Sequence, residues 1–136
     1  MTVGEAIEFL KTHHRGVLVA RRKDDSLQMT LVSPVVSGSN LIITARADTY
    51  KVKNIKRNPQ VSLVVFGEEF HGSEYIQVDG TAEVIPQPEA MDMVLDWHRQ
   101  VRGEPESWDE IRRKTLAENR IAIRMTIARV GPQNRK

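Results

Sequence analysis

The chain has 136 residues, 40% apolar and 28% charged, with a formal net charge of +2 and no cysteine. That length and composition suit a single domain over residues 1–136 with one core, and the lack of thiols excludes disulfides and cysteine-ligated metals and fits a cytoplasmic location. The slight net charge speaks against a nucleic-acid binder, and neither a membrane span nor a secretory signal is visible.

Thr2 and Glu5 have capping-box spacing, and Val3, Ala6, Ile7 and Leu10 recur at helical intervals, which predicts a helix over residues 3–13. "GVLVARR" reads as a first strand and "KDDS" as a turn. "LQMTLVSPVV" reads as one second strand, with Leu27, Met29 and Leu31 on one face and Gln28, Thr30 and Val32 on the other. After the turn "SGSN" come a third strand, "LIITA", and a fourth, "VSLVVF". "GEEFHGSE" is a polar loop. "YIQVDGTAEVI" is a long fifth strand in which Gly80 marks a bulge or bend.

Pro88 suits a first helical position. Met91, Val94, Leu95 and His98 form a helical stripe that Gly103 can end. Ser107 and Glu110 repeat the capping-box spacing and open a helix through about Asn119. In "IAIRMTIARV", Ile121, Ile123, Met125 and Ile127 alternate with small or polar residues, giving a closing strand. The C-terminal "NRK" reads as a basic tail. The pattern is mainly β with flanking helices: about six antiparallel strands in a barrel-like sheet.

Between the third and fourth strands lies "ARADTYKVKNIKRNP". It holds Arg46, Lys51, Lys53, Lys56 and Arg57 against one acid, Asp48. Thr49 or Asp48 can cap a helix starting near Tyr50, Val52 and Ile55 give it a buried stripe, and Pro59 stops it. A helix N-terminus favours an anion. A lysine in the first turn opposes the helix dipole, and a bound phosphate reconciles the two. A solvated basic helix face is the alternative.

The order of these pieces ("TARADTYK", "N-I-K-R-N-P", then "YIQVDGTAEV") resembles the pyridoxamine 5′-phosphate oxidase-like split β-barrel flavoproteins. "GEPESWDEIR" and the closing strand look like the actinobacterial branch that uses the deazaflavin coenzyme F420. The resemblance implies a six-stranded split barrel, a homodimer, and a cofactor groove between subunits. It places the phosphate at Thr49, Tyr50 and Lys51. Tyr50 stands where the family often has arginine, and Arg46 could substitute. It sets Gln28, Thr30, Val32 and Ser33 alongside the ring, Ala45 near the phosphate–ribityl end, and Tyr75 toward the cofactor, from its own or the other subunit. Coenzyme F420 is favoured, with FMN the alternative. An acidic cofactor tail would need further basic residues, from Lys53, Lys56 and Arg57 or from Arg21, Arg22 and Lys23. The implied activity is hydride transfer from reduced F420 to a small organic acceptor. An FMN enzyme of the same fold and a non-catalytic cofactor carrier are the alternatives.

The other candidates have plainer explanations. His13 and His14 are adjacent, about 100° apart on a helix, which is poor geometry for shared metal ligation. The acids of "EPESWDE" suit a helix start. Trp97 and Trp108 could line a substrate pocket, or serve as core or dimer interface. No hydrolase elbow, P-loop or dinucleotide-binding glycine motif is present.

Overall fold

The structure, a computed structural model, describes residues 1–69, 71 and 74–132. In chain order it runs α1 (Val3–Leu10), β1 (Arg15–Arg21), β2 (Leu27–Val32), β3 (Val35–Ser37), β4 (Asn40–Arg46) and α2 (Tyr50–Arg57). Then follow β5 (Gln60–Phe66), β6 (Tyr75–Ile85), α3 (Ala90–Arg102), α4 (Trp108–Ala117) and β7 (Arg120–Gly131). The basic tail lies outside the described residues, as does part of the loop after β5.

The local signals act as expected at several points. Thr2 and Glu5 close a complete capping box on α1. Gly80 sits at a register shift between β6 and β7. A Cβ there would lie 2.0 Å from the Thr126 carbonyl oxygen, so only glycine lets the strands approach. Gly103 ends α3 with φ 83°. Asn119 takes a left-handed conformation, φ 49°, after α4 and turns the chain into β7.

Two expectations need correction. The stretch 27–36 is not one strand. Pro34 has no N–H to give to a ladder, so pairing breaks at Ser33–Pro34 and two strands result. The sheet therefore has seven antiparallel strands, not six, in the order β2-β1-β5-β6-β7-β4-β3, and it is not a closed barrel. Its two edge strands, β2 and β3, are nonetheless consecutive in the chain. Three Cα steps from Val32 to Val35 span at most about 11 Å, so the sheet must roll until its edges nearly meet there.

The rolled interior holds the main core. Leu18, Leu41, Ile43, Leu63, Val65, Ile76, Val78, Ile123 and Met125 fill it, and Val52 and Ile55 of α2 and Ala6 and Leu10 of α1 add to it. A second cluster lies on the outer face of β4 and β7. There Ile42 and Ala122 meet Val35, Ile85, Ala90 and Val94, with Trp97 and Val101 packed against them. This explains why β4 is buried at every position from Leu41 to Ala45: the core covers one face and α3 the other. The stripe of α3 accordingly centres on Ala90, Val94, Trp97 and Val101, with Met91 and His98 only half-buried. Pro88 precedes α3 rather than opening it.

The outer face of β2, β1 and β5 has no such cover. Leu27, Met29 and Leu31 face outward, Met29 at 64% and Leu31 at 81% exposure. Opposite pairs across the ladders extend this face through Val17 and Val19 to Val64, Phe66 and Tyr75.

Candidate functional site

A concavity opens where β1, β2, β4 and the start of α2 converge beside the Ser33–Pro34 link. Its volume is about 610 Å³, within the usual range for cofactor sites. One wall is mostly apolar: Gly16, Leu31, Val32, Phe66 and Trp97. The other end is cationic: Arg46, Lys51 and Arg120, with Arg15 at the rim.

Two of the cations arrive through one strand pair and the third through α2. Arg46 is the last residue of β4, and Arg120 the first of β7; their ladder pairs them directly. Like charges opposite each other destabilise a sheet. Glu118 answers both, 2.8 Å from Arg120 and 3.8 Å from Arg46. The Arg120 guanidinium, bonded to its side chain, holds the Glu118 carboxyl below its ordinary pKa.

Lys51 has no such partner. It stands half-buried in the first turn of α2, and among the described residues no carboxylate pairs with it. Burial, and then the positive charge of Arg120, push its pKa below the ordinary lysine value. Thr49 occupies the N-cap position of α2, but its hydroxyl donates to the Arg46 carbonyl at 3.0 Å and caps no helix N–H. The first turn also contains no acid. The N-terminus of α2 is thus a positive dipole end that carries a lysine and no acid in its first turn.

Of the ten candidate residues, Val32, Ser33, Ala45, Arg46, Thr49 and Lys51 line this cleft. Gln28 does not. It sits about 13 Å down β2 at strand rise and accepts from Asn54 Nδ2 at 2.5 Å, which fastens α2 to the sheet. Thr30 lies half-buried between these ends. Tyr50 points out, 75% exposed, with Lys53 over its ring at 5.4 Å. Tyr75 lines a separate hollow with Gln77, Asp79 and Arg129.

The five positive charges around α2 therefore divide. Arg46 and Lys51 enter the cleft, and Arg57 donates to Asn54 Oδ1 at 2.7 Å and to the Arg21 carbonyl. Lys53 and Lys56 are exposed. The "RRKDD" run closes its own hairpin: Arg22 donates to the Leu27 carbonyl, and Arg21 pairs with Asp25 at 3.5 Å.

Sequence reasoning missed Arg15, Gly16, Thr44, Phe66 and Arg120 as cleft residues. Only the β4–β7 register brings Arg120 to Arg46, and no local pattern signals it. His13 and His14 are structural. His13 Nδ1 meets the Phe9 carbonyl at 2.8 Å, and His14 Nδ1 meets the Pro34 carbonyl at 2.9 Å. Among the described residues no cluster of three metal-ligating side chains exists, and no helix is long and apolar enough to cross a membrane.

Compared with known proteins, residues 3–134 match the family described as pyridoxamine 5′-phosphate oxidase. The chain belongs to this family. Solved structures of the same fold include a conserved hypothetical protein of Mycobacterium tuberculosis at 21% identity. Its TM-score is 0.79, over 96% of this chain and 82% of that one. An F420 reductase is similar at 22% identity and TM-score 0.72, covering 93% and 95% of the two chains. An FAD-binding protein of Mesorhizobium loti is similar at 19% identity and TM-score 0.66, covering 96% and 90%. At these identities the likeness establishes the fold. This family member presents a cleft with a cationic end and an apolar wall.

Proposed function

We propose that this protein is an oxidoreductase that holds reduced coenzyme F420 in the cleft and passes hydride to a small organic acceptor. The observation that carries the reading is Lys51: half-buried, unpaired, beside Arg120, on the uncapped N-terminus of α2. A cation so placed is costly in the free protein and becomes favourable when a phosphate arrives. Charge-assisted bonds from Lys51, Arg46 and Arg120, with the Thr49 hydroxyl within the same lining, are a donor set suited to a phosphate.

The remainder of the cleft suits a flat ring. Val32, Ser33 and Ala45 offer small or apolar surface, and Leu31, Phe66 and Trp97 exclude water around it. A reduced deazaflavin held there would supply hydride to an electron-poor carbon of a quinone, enone or similar acceptor, with the proton coming from solvent. The protein's share is binding, orientation and shielding, and the described cleft lining offers no histidine or carboxylate to activate its hydroxyls. The F420 reductase of the same fold supports this choice of cofactor. The FAD-binding protein of the same fold keeps FMN or a related flavin as the second reading.

The functional unit proposed is a homodimer. The uncovered face of Val17, Val19, Leu27, Met29, Leu31 and Phe66 ends at the cleft, because Leu31 and Phe66 belong to both. A second subunit on that face would roof the apolar wall, and its Tyr75 could reach the groove. Turnover decides between an enzyme and a carrier. The purified protein, given reduced F420 and a panel of quinones, enones and nitro compounds, should oxidise the cofactor at least tenfold faster than a protein-free control with some member. A panel without turnover, despite tight binding, would leave the carrier function.

A further inference from the structure

A second pocket, of about 370 Å³, lies between α3 and α4. It shares Thr44, Trp97 and Arg120 with the cleft, so the two are neighbours across one wall. Its own lining adds His98, Arg102, Lys114 and Glu118. Most basic residues nearby already have acids: Arg99 has Asp96 and Glu104, Arg112 has Asp109, and Arg113 has Glu110. Arg102 and Lys114 are the exceptions, without an ion pair among the described residues, and both turn into the pocket. Three full positive charges thus meet one acid, Glu118, which Arg120 and Arg46 already engage. Burial, and then the charge of Arg102, lower the pKa of His98, so near neutral pH it is an uncharged hydrogen-bonding group.

We propose that this pocket is a second anion subsite, in which Arg102 and Lys114 take a carboxylate. It lies next to the phosphate end of the cleft, sharing Arg120, whereas Leu31, Val32 and Phe66 are absent from its lining. The carboxylate has two possible sources: an acidic extension beyond the phosphate of the cofactor, or a separate carboxylate ligand. The first source rests on the function proposed above; the subsite itself does not. The cluster lies apart from Lys53, Lys56 and Arg57, the residues that the sequence offered for an acidic tail, and from the hairpin arginines.

The test is calorimetric titration, at low salt, of the wild type, R102Q/K114Q and K51A. The probes are F420 bearing a glutamate tail, FMN, and triglutamate. Circular dichroism and melting confirm that each variant is folded; both glutamines are compatible with helix. The expected result is that R102Q/K114Q weakens F420 at least tenfold and abolishes triglutamate binding, while FMN affinity is unchanged. Loss of triglutamate binding with unchanged F420 affinity would support the subsite and assign it to a separate carboxylate ligand. Unchanged affinity for every probe, or failure of the wild type to bind both F420 and triglutamate, would overturn the proposal. If K51A binds F420 and FMN like the wild type while R102Q/K114Q still loses triglutamate, the phosphate site fails and the carboxylate subsite stands.

Discussion

Replacing Lys51 by methionine keeps the length and apolar stem of the side chain and removes only its charge. In the free protein that charge meets the positive end of α2 and the Arg120 guanidinium, which Glu118 engages, and no carboxylate among the described residues pairs with the lysine itself. The dipole contribution alone is about 0.3–1 kcal/mol, and burial adds in the same direction. K51M should therefore stabilise the cofactor-free protein, raising Tm by about 1–4 °C for a chain of this size. Phosphate binding should move the other way. Loss of a charged hydrogen bond costs about 1.5–3 kcal/mol, so affinity for a phosphate-bearing flavin should fall roughly 10- to 150-fold.

The pH dependence has a definite sign. The folded-state pKa of Lys51 lies below its ordinary 10.5, so between the two values the unfolded chain binds more protons than the folded one. Stability then rises with pH through that window. The wild type should gain more than K51M as pH approaches 10.5. Scanning calorimetry and flavin titration read both arms. A K51M protein that melts lower than the wild type, or binds flavin equally well, would refute the reasoning.

Other expectations follow from the packing. Asn54 is buried between Gln28 and Arg57; N54A takes the donor from half-buried Gln28, while exposed Arg57 keeps the Arg21 carbonyl, and should destabilise by about 1–3 kcal/mol, read by urea unfolding. At Gly80, an added Cβ meets backbone, not a side chain that could yield. G80A should cost about 1–3 kcal/mol as overpacking, and G4A, at an exposed position of α1 with room for a Cβ, makes a suitable control. Met29 is exposed on the uncovered face and outside the cleft. M29K should convert a wild-type dimer to a monomer by sedimentation, with little change in the secondary-structure spectrum.

Much of the fold was legible because its causes are local. The capping box of α1, the bulge at Gly80 and the stop at Gly103 each depend on a few neighbouring residues. The break at Pro34 was also local, yet apolar residues on both sides masked it. Alternation put Leu27, Met29 and Leu31 on one face, but alternation cannot say which face the core covers; here it is the face of Gln28 and Val32 that turns inward. The second capping box formed by half: Ser107 accepts from the Glu110 N–H, while the Glu110 carboxylate turns to Arg113.

The site was legible to the same depth. A lysine in the first turn of a basic helix stood out against the helix dipole, and Arg46 stood next to it in the chain. Arg120 depends on the register of β4 with β7, which is a long-range property. The resemblance sets Gln28 alongside the ring with Val32; in the structure it lies about 13 Å along β2 from Val32 and bonds Asn54 of α2, a long-range contact that no local pattern signals.

The most direct test is fluorescence titration of the cofactor-free protein with F420 and, separately, with FMN, repeated on K56A, whose side chain lies outside the cleft. The account expects micromolar or tighter F420 binding, at least tenfold weaker FMN binding, and K56A equal to the wild type. Tighter binding of FMN than of F420, or no binding of either, would contradict it.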